Sequence, residues 1–256
     1  MEEIHHIACK SSRNIWVSDL DNQLIHINYE GEIFHNLRRN STFTTGIAIH
    51  KEENVLFTDV EEKWIFEVME NFRIAKFLKT EDWVPRSIHS SCLTGDIFLG
   101  LTKEKDNEAE AKISRYDQTG KKILQEIQLY DEKPLYRFPH FMAENDKGNI
   151  YVSDYHLRAL VAVNKFGKHL FDFKTDDFWP HGVTVDNVGN VLVCNASYKT
   201  SGVFILDQEG NVRSRILTRE QKIRNVRNIC VDEDDNLYAL QKNVPTIMVF
   251  KYLERV

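Results

Sequence analysis

Apolar residues in this chain come in runs of four to six, rich in Val, Ile, Phe and Tyr, each bounded by turn-forming residues. No segment holds a helical period of useful length, so the pattern predicts strands throughout. One run recurs behind a polar turn residue: Asn14-Ile-Trp-Val-Ser-Asp19, Asn54-Val-Leu-Phe-Thr-Asp59, Asp96-Ile-Phe-Leu-Gly-Leu101, Asn149-Ile-Tyr-Val-Ser-Asp154, Asn190-Val-Leu-Val-Cys-Asn195 and Asn236-Leu-Tyr-Ala-Leu-Gln241. The steps between first residues are 40, 42, 53, 41 and 46. The long step carries the charged stretch Lys103 to Lys112, which reads as an extended, solvated loop.

Other strands keep pace with that landmark. About ten residues before it starts a first strand, as in Ile4-His-His-Ile, Pro139-His-Phe-Met and Pro180-His-Gly-Val. About ten residues after it comes a third, as in Leu160-Val-Ala-Val and Val203-Phe-Ile-Leu. A turn with Gly31, Gly120, Gly167 or Gly210 then leads to a fourth, and glycine there supplies the positive φ of a tight hairpin. Six units of four antiparallel strands describe an all-β, six-bladed β-propeller around a central channel. Its blades are expected near residues 4–37, 44–79, 85–130, 139–174, 180–218 and 226–252 of one domain spanning 1–256. The fourth strand of blade six is expected to be missing or very short. Either the ring closes imperfectly, or preceding residues of a longer protein complete that blade.

Composition narrows the partners. With 33 Lys and Arg against 39 Asp and Glu the formal net charge is −6, which argues against a generic nucleic-acid binder; neither DNA nor a membrane is expected as partner. Cys9, Cys92, Cys194 and Cys230 show no close pairing and read as reduced thiols of a cytoplasmic protein. The sequons at Asn40 and Asn195 carry no weight without a secretory signal.

Lys147-Gly-Asn-Ile-Tyr-Val-Ser-Asp154, then Leu157-Arg-Ala-Leu-Val-Ala-Val-Asn-Lys-Phe-Gly167, with Pro180-His-Gly-Val-Thr-Val-Asp186 in the next unit, resembles the NHL repeat. The likeness runs from Ile4 to Tyr252, is loosest in blade three, and has the flavour of the C-terminal propeller of tripartite-motif proteins. That resemblance implies a non-catalytic recognition module that binds single-stranded RNA or a protein partner, such as a ubiquitination substrate. RING, B-box and coiled-coil segments would lie upstream in a parent ubiquitin ligase. Four scattered cysteines form no RING here.

Propeller geometry places the loops leading into each blade on one face, called the top. The bottom collects Glu52, Glu53, Glu144, Asp186 and Asp232 to Asp235. The top collects Arg38, Arg39, Arg158, Lys199, Arg219, Lys222, Arg224 and Lys242, with Glu61, Glu62 and Glu220 as exceptions. The second residue of each blade's first strand is His5, Thr45, Arg86, His140, His181 and Arg227, so five of six ring positions are potentially cationic. They either solvate the channel mouth or form a rim for phosphates or a carboxylate. Trp83, Tyr136, Tyr155, Trp179 and Tyr198 either stack on bases or pack between blades. The expected ligand surface is therefore His5, Arg86, His140, His181 and Arg227, with Arg219, Lys222, Arg224, Tyr155 and Arg158 beside them.

An enzymatic alternative rests on His5, His140 and His181 as zinc ligands. It resembles an NHL-like peptide-amidating lyase, although there the ligands come from alternate blades. The main reading has no cofactor. Asp19, Asp59 and Asp154 recur at one turn and are expected to cap backbone N–H groups, a role Asn195 and Gln241 can also fill.

Overall fold

The computed structural model describes residues 3–19, 23–38, 44–51, 54–105 and 108–252. The expected Arg39, Glu52 and Glu53 and the Asn40 sequon fall outside these residues. Blade one contains β1 (Ile4–Ser11), β2 (Asn14–Asp19), β3 (Gln23–Ile27) and β4 (Ile33–Arg38). Blade two contains β5 (Ile47–Ile49), β6 (Val55–Asp59), β7 (Trp64–Val68) and β8 (Ile74–Lys79). Blade three contains β9 (Val84–Ser90), β10 (Ile97–Lys105), β11 (Glu108–Tyr116) and β12 (Ile123–Ile127), followed by a small ladder of β13 (Leu129–Tyr130) and β14 (Lys133–Pro134). Blade four contains β15 (Pro139–Glu144), β16 (Ile150–Asp154), β17 (Ala159–Val163) and β18 (His169–Phe173). Blade five contains β19 (Pro180–Val185), β20 (Val191–Asn195), β21 (Gly202–Leu206) and β22 (Val212–Ile216). Blade six has β23 (Val226–Val231), β24 (Asn236–Gln241) and β25 (Ile247–Lys251), and no fourth strand among the described residues.

The apolar runs do not alternate with polar residues because each blade has a neighbour on both faces. In β16, Ile150 and Val152 pack towards blade three while Tyr151 between them packs towards blade five. The core is thus six clusters, one at each joint between blades. Outer strands face solvent on more sides and carry the polar residues, as Val212–Ile216 shows. The third-to-fourth-strand turns use the expected glycines, with φ of 85° at Gly31, 68° at Gly120, 80° at Gly167 and 88° at Gly210.

On either side of residues 106–107, the stretch Lys103 to Lys112 is paired strand and not loop: β10 and β11 lengthen the blade-three hairpin, with Thr102 opposite Ala111 and Lys103 opposite Glu110. Alternating opposite charges across an antiparallel pair favour that pairing, a signal that a hydrophobicity pattern misses.

The ring closes at β1 and β23 through packing of Ile4, Ile7, Ile15, Val17, Ile25 and Ile27 against Cys230, Tyr238 and Leu240. Hydrogen bonds cross the seam, among them Asn228 Nδ2 donating to the His5 carbonyl at 3.3 Å and the Glu233 N–H to the Lys10 carbonyl at 3.1 Å. Among the described residues no helix is long and apolar enough to cross a membrane.

Candidate active site

Each inner strand runs along the channel, so equivalent positions of the six blades form levels. The six ring positions, at or just before the start of each blade's first strand, lie at the upper mouth. There His140 and His181, from adjacent blades, meet edge to face, with ring centroids 5.2 Å apart and planes at 65°. Tyr155 closes this group, 5.4 Å from the His181 ring and 6.4 Å from that of His140. Trp179 packs against Tyr155 at 5.4 Å, and the Arg158 guanidinium lies 3.8 Å from the Trp179 centroid. Arg86 is held by a hydrogen bond from Nε to Thr102 Oγ1 at 2.8 Å, and its guanidinium lies 4.9 Å from the Phe138 ring centroid. Thr45 donates to the Pro85 carbonyl at 2.9 Å and ties blade two to blade three.

One level down are His6, Ser87, Phe141 and Asn228. His6 is buried, 5.5 Å from the Phe141 ring, and Ser87 Oγ donates to the Pro139 carbonyl at 2.8 Å. Gly182 allows close approach here, since a Cβ on it would lie 2.6 Å from Asn228 Cα. Below extends a cavity of about 820 Å³, reaching from His6 and His140 to the bottom loops.

The electrostatics bear on which members of this potentially cationic ring carry charge. Burial, then Arg227, lowers the pKa of His181 to about 3. Burial, then His181 and the two guanidinia, takes His140 well below the ordinary histidine value. Burial likewise lowers His6 strongly and His5 less, with Glu3 opposing the shift at His5. Near neutral pH the ring therefore holds two guanidinium ions among neutral imidazoles. At His140 and His181 desolvation disfavours an imidazolium that no carboxylate compensates, an effect invisible when histidines are counted from sequence. Three polar atoms in this ring, His5 Nε2, His140 Nδ1 and Arg227 Nε, are buried without a hydrogen-bond partner among the described residues.

The structure brings His5, Arg86, His140, His181, Arg227 and Tyr155 to the mouth, with Arg158 attached through Trp179. It does not join Arg219, Lys222 and Arg224 to them. These three are exposed before β23, and no hydrogen bond, ion pair or ring contact links them to the ring. Arg219 instead donates to the Tyr198 carbonyl at 2.8 Å. The zinc triad is not formed either: among the described residues no three His, Cys, Asp or Glu side chains could hold a metal. Guanidinium groups beside His140 and His181 would also repel a cation. Tyr136 packs in the joint between blades three and four, while Tyr198 is 79% exposed.

The recurrent aspartates cap turns. Asp154 accepts N–H bonds from Arg137, Phe138 and Leu157 at 2.7, 2.8 and 2.9 Å, and Asp59 from Glu61 and Glu62. Asn195 is fully buried in the same role, accepting from the Trp179 N–H, so its sequon presents no accessible amide. Sequence reasoning missed His6, although it directly follows a ring position in register.

No family model matches the chain, and no curated protein matches it. Solved structures do. A gluconolactonase from Xanthomonas campestris superposes with a TM-score of 0.73 at 17% identity, covering 93% of this chain and 82% of that one. A catalytically inactive histidine-to-alanine variant of virginiamycin B lyase from Staphylococcus aureus, solved with quinupristin, gives 0.66 at 16%, covering 97% and 84%. Regucalcin, a calcium-binding protein from Agrobacterium tumefaciens, gives 0.68 at 12%, covering 95% and 84%. The likeness carries the β-propeller but not the tripartite-motif assignment, and it lends no support to RNA binding or ubiquitin-ligase association. The expectation of a module without chemistry of its own is corrected by these neighbours: structures similar along nearly the whole chain are those of a lyase and a gluconolactonase.

Proposed function

We propose that the protein is a lyase-type enzyme whose centre is the upper mouth of the channel, acting on a small carbonyl compound that carries an ester or lactone. The observation that carries this reading is the unpartnered Nδ1 of His140, a neutral imidazole nitrogen subject to the fields of Arg86 and Arg227. Such a nitrogen can take a proton from a carbon next to a carbonyl. The two guanidinium groups would stabilise the resulting enolate, and loss of the ester oxygen from the adjacent carbon completes an elimination.

The low basicity of His140 fits this scheme. Its pKa is depressed partly by Arg86 and Arg227, so a substrate anion that neutralises them restores basicity when it is needed. Tyr155 and Trp179 offer an apolar, aromatic side to the mouth. The inactive histidine variant of the Staphylococcus aureus lyase supports a role for histidine in a propeller of this kind. The arrangement needs no metal held by the histidines.

A panel of small lactones and depsipeptide esters, quinupristin included, followed by mass spectrometry tests this reading. Elimination gives an opened, unsaturated product of unchanged mass; hydrolysis gives one heavier by a water. His140→Ala is expected to lower kcat by about 100-fold or more. Turnover unaffected by His140→Ala and His181→Ala together would remove the reading.

A further inference from the structure

At the lower end of the channel the repeat is broken in a way the upper centre does not use. In blades two to six the residue after the inner strand donates its N–H into the same turn: His50 to Asn54, Ser91 to Asp96, Asn145 to Asn149, Asp186 to Asn190 and Asp232 to Asn236. In blades four to six its side chain also caps that turn, as Asn145 Oδ1 does for the Lys147 and Asn149 N–H groups; Ser91 Oγ does so in blade three. Blade two gives up this cap. The His50 ring instead crosses to blade three, with Nδ1 2.7 Å from Ser90 Oγ and Nε2 3.1 Å from the Gln118 carbonyl.

These contacts fix the tautomer. A carbonyl oxygen only accepts, so Nε2 carries the hydrogen and donates to Gln118. Nδ1 then presents its lone pair, and the Ser90 hydroxyl donates to it. A hydroxyl bound to an imidazole whose far nitrogen is anchored is the arrangement of an activated nucleophile, a base and an orienting group. Both residues are 8% exposed, and both line the 820 Å³ cavity. Burial lowers the pKa of His50, against the Gln118 hydrogen bond and Glu67 and with Lys51, so the imidazole is neutral near pH 7. A local capping rule abandoned for a contact to a hydroxyl is what a functional site looks like in a repeat.

We propose that Ser90 and His50 form a second reactive centre at the lower end of the channel, hydrolysing short acyl esters or lactones through an acyl-serine. Ser90 Oγ attacks the acyl carbon and its proton passes to His50 Nδ1. The bond from the acyl carbon to the alkoxy oxygen breaks, and the leaving alcohol takes the proton from Nδ1. Water, deprotonated by Nδ1, then attacks the acyl-serine, and the acid is released with Ser90 restored. In a lactone, acid and alcohol remain one molecule. Ile49 and Ile88 on the cavity wall suit a short apolar acyl chain.

The test is covalent capture with an alkyl fluorophosphonate, read by intact mass and peptide mapping, with p-nitrophenyl butyrate hydrolysis alongside. The expected result is one phosphonyl adduct on Ser90 of the wild-type chain, absent in Ser90→Ala and formed about 100-fold more slowly in His50→Gln. No adduct on the wild-type chain, or an adduct mapping to any residue other than Ser90, overturns the proposal. The map is made on the unmodified protein, so it decides the matter even if a variant fails to fold. An adduct forming equally fast in folded His50→Gln overturns the role of His50.

Discussion

His140 and His181 occupy the same register position in neighbouring blades, and their rings touch edge to face at 5.2 Å, so neither can gain a proton without placing it against the other. Arg227 adds to that constraint on both, and Arg86 on His140. The pair is thereby held as two neutral imidazoles in a region that by composition reads as positive.

Acid should therefore unfold this protein through its channel mouth. An unfolded histidine titrates near 6.5, whereas folded His181 titrates at about 3, facing His140, His5, His6, Tyr155, Arg227 and Lys242. Between those values the unfolded chain binds a proton that the folded one does not. The contribution is complete above pH 6.5 and is lost as pH falls towards 3, at up to roughly 1.4 kcal/mol per pH unit. Urea denaturation at stepped pH should show this slope, reduced by about one proton in His181→Asn. An unchanged slope in that variant would contradict the assignment.

Removing the neighbouring cation should move the imidazole. Arg227→Gln takes away the largest charge effect on His181 while leaving burial in place, so the His181 pKa should rise yet stay below 6.5. Imidazole signals followed by NMR across pH report it directly, and a fall or no movement would show that Arg227 lies too far away to matter.

Asp154 offers a test of structural against catalytic aspartate. It is fully buried and accepts three backbone N–H bonds. Asp154→Ala strands those donors and should cost about 3 kcal/mol or more, at 1–3 kcal/mol for each buried group left unpaired. Asp154→Asn should cost less, because Asn195 performs the same task one blade later. Thermal melts of the two variants give the comparison, and equal losses would mean the charge itself matters.

Gly182→Ala should injure both stability and the upper centre. The added Cβ would meet Asn228 Cα and Oδ1 at 2.6 Å and the Ile229 nitrogen at 2.9 Å. Backbone cannot swing away as a side-chain tip does, so β19 must separate from β23. A loss of about 1–3 kcal/mol is expected. His181 and Arg227 immediately precede the clashing residues, so any turnover should fall as well. A variant of wild-type stability would show that the joint yields more easily than its packing implies.

The blades were legible because a residue type repeats for a reason that acts locally. Asn149 and Asn190 precede strands, Gly167 and Gly210 need positive φ, and the alternation of Ile150, Tyr151 and Val152 needs two neighbours. The Lys103–Lys112 hairpin was not legible, since its pairing rests on cross-strand charge. The ring of six mouth residues was placed by register, but its protonation was not legible because burial depends on residues distant in sequence. Arg219, Lys222 and Arg224 share the face of the mouth without reaching it, which a division into top and bottom cannot resolve. Ser90 and His50 lie one repeat apart, and comparing blades position by position would have flagged His50 as the residue that caps nothing.

The seam between β1 and β23 joins the first and last blades, and among the described residues blade six has three strands where its neighbours have four. His5 stands on one side of that seam and Arg227 on the other. Any breathing of the circle there parts two members of the mouth while the remaining joints still hold. Mild heat should thus switch off the upper centre, reversibly, at a temperature where circular dichroism still reports intact strands.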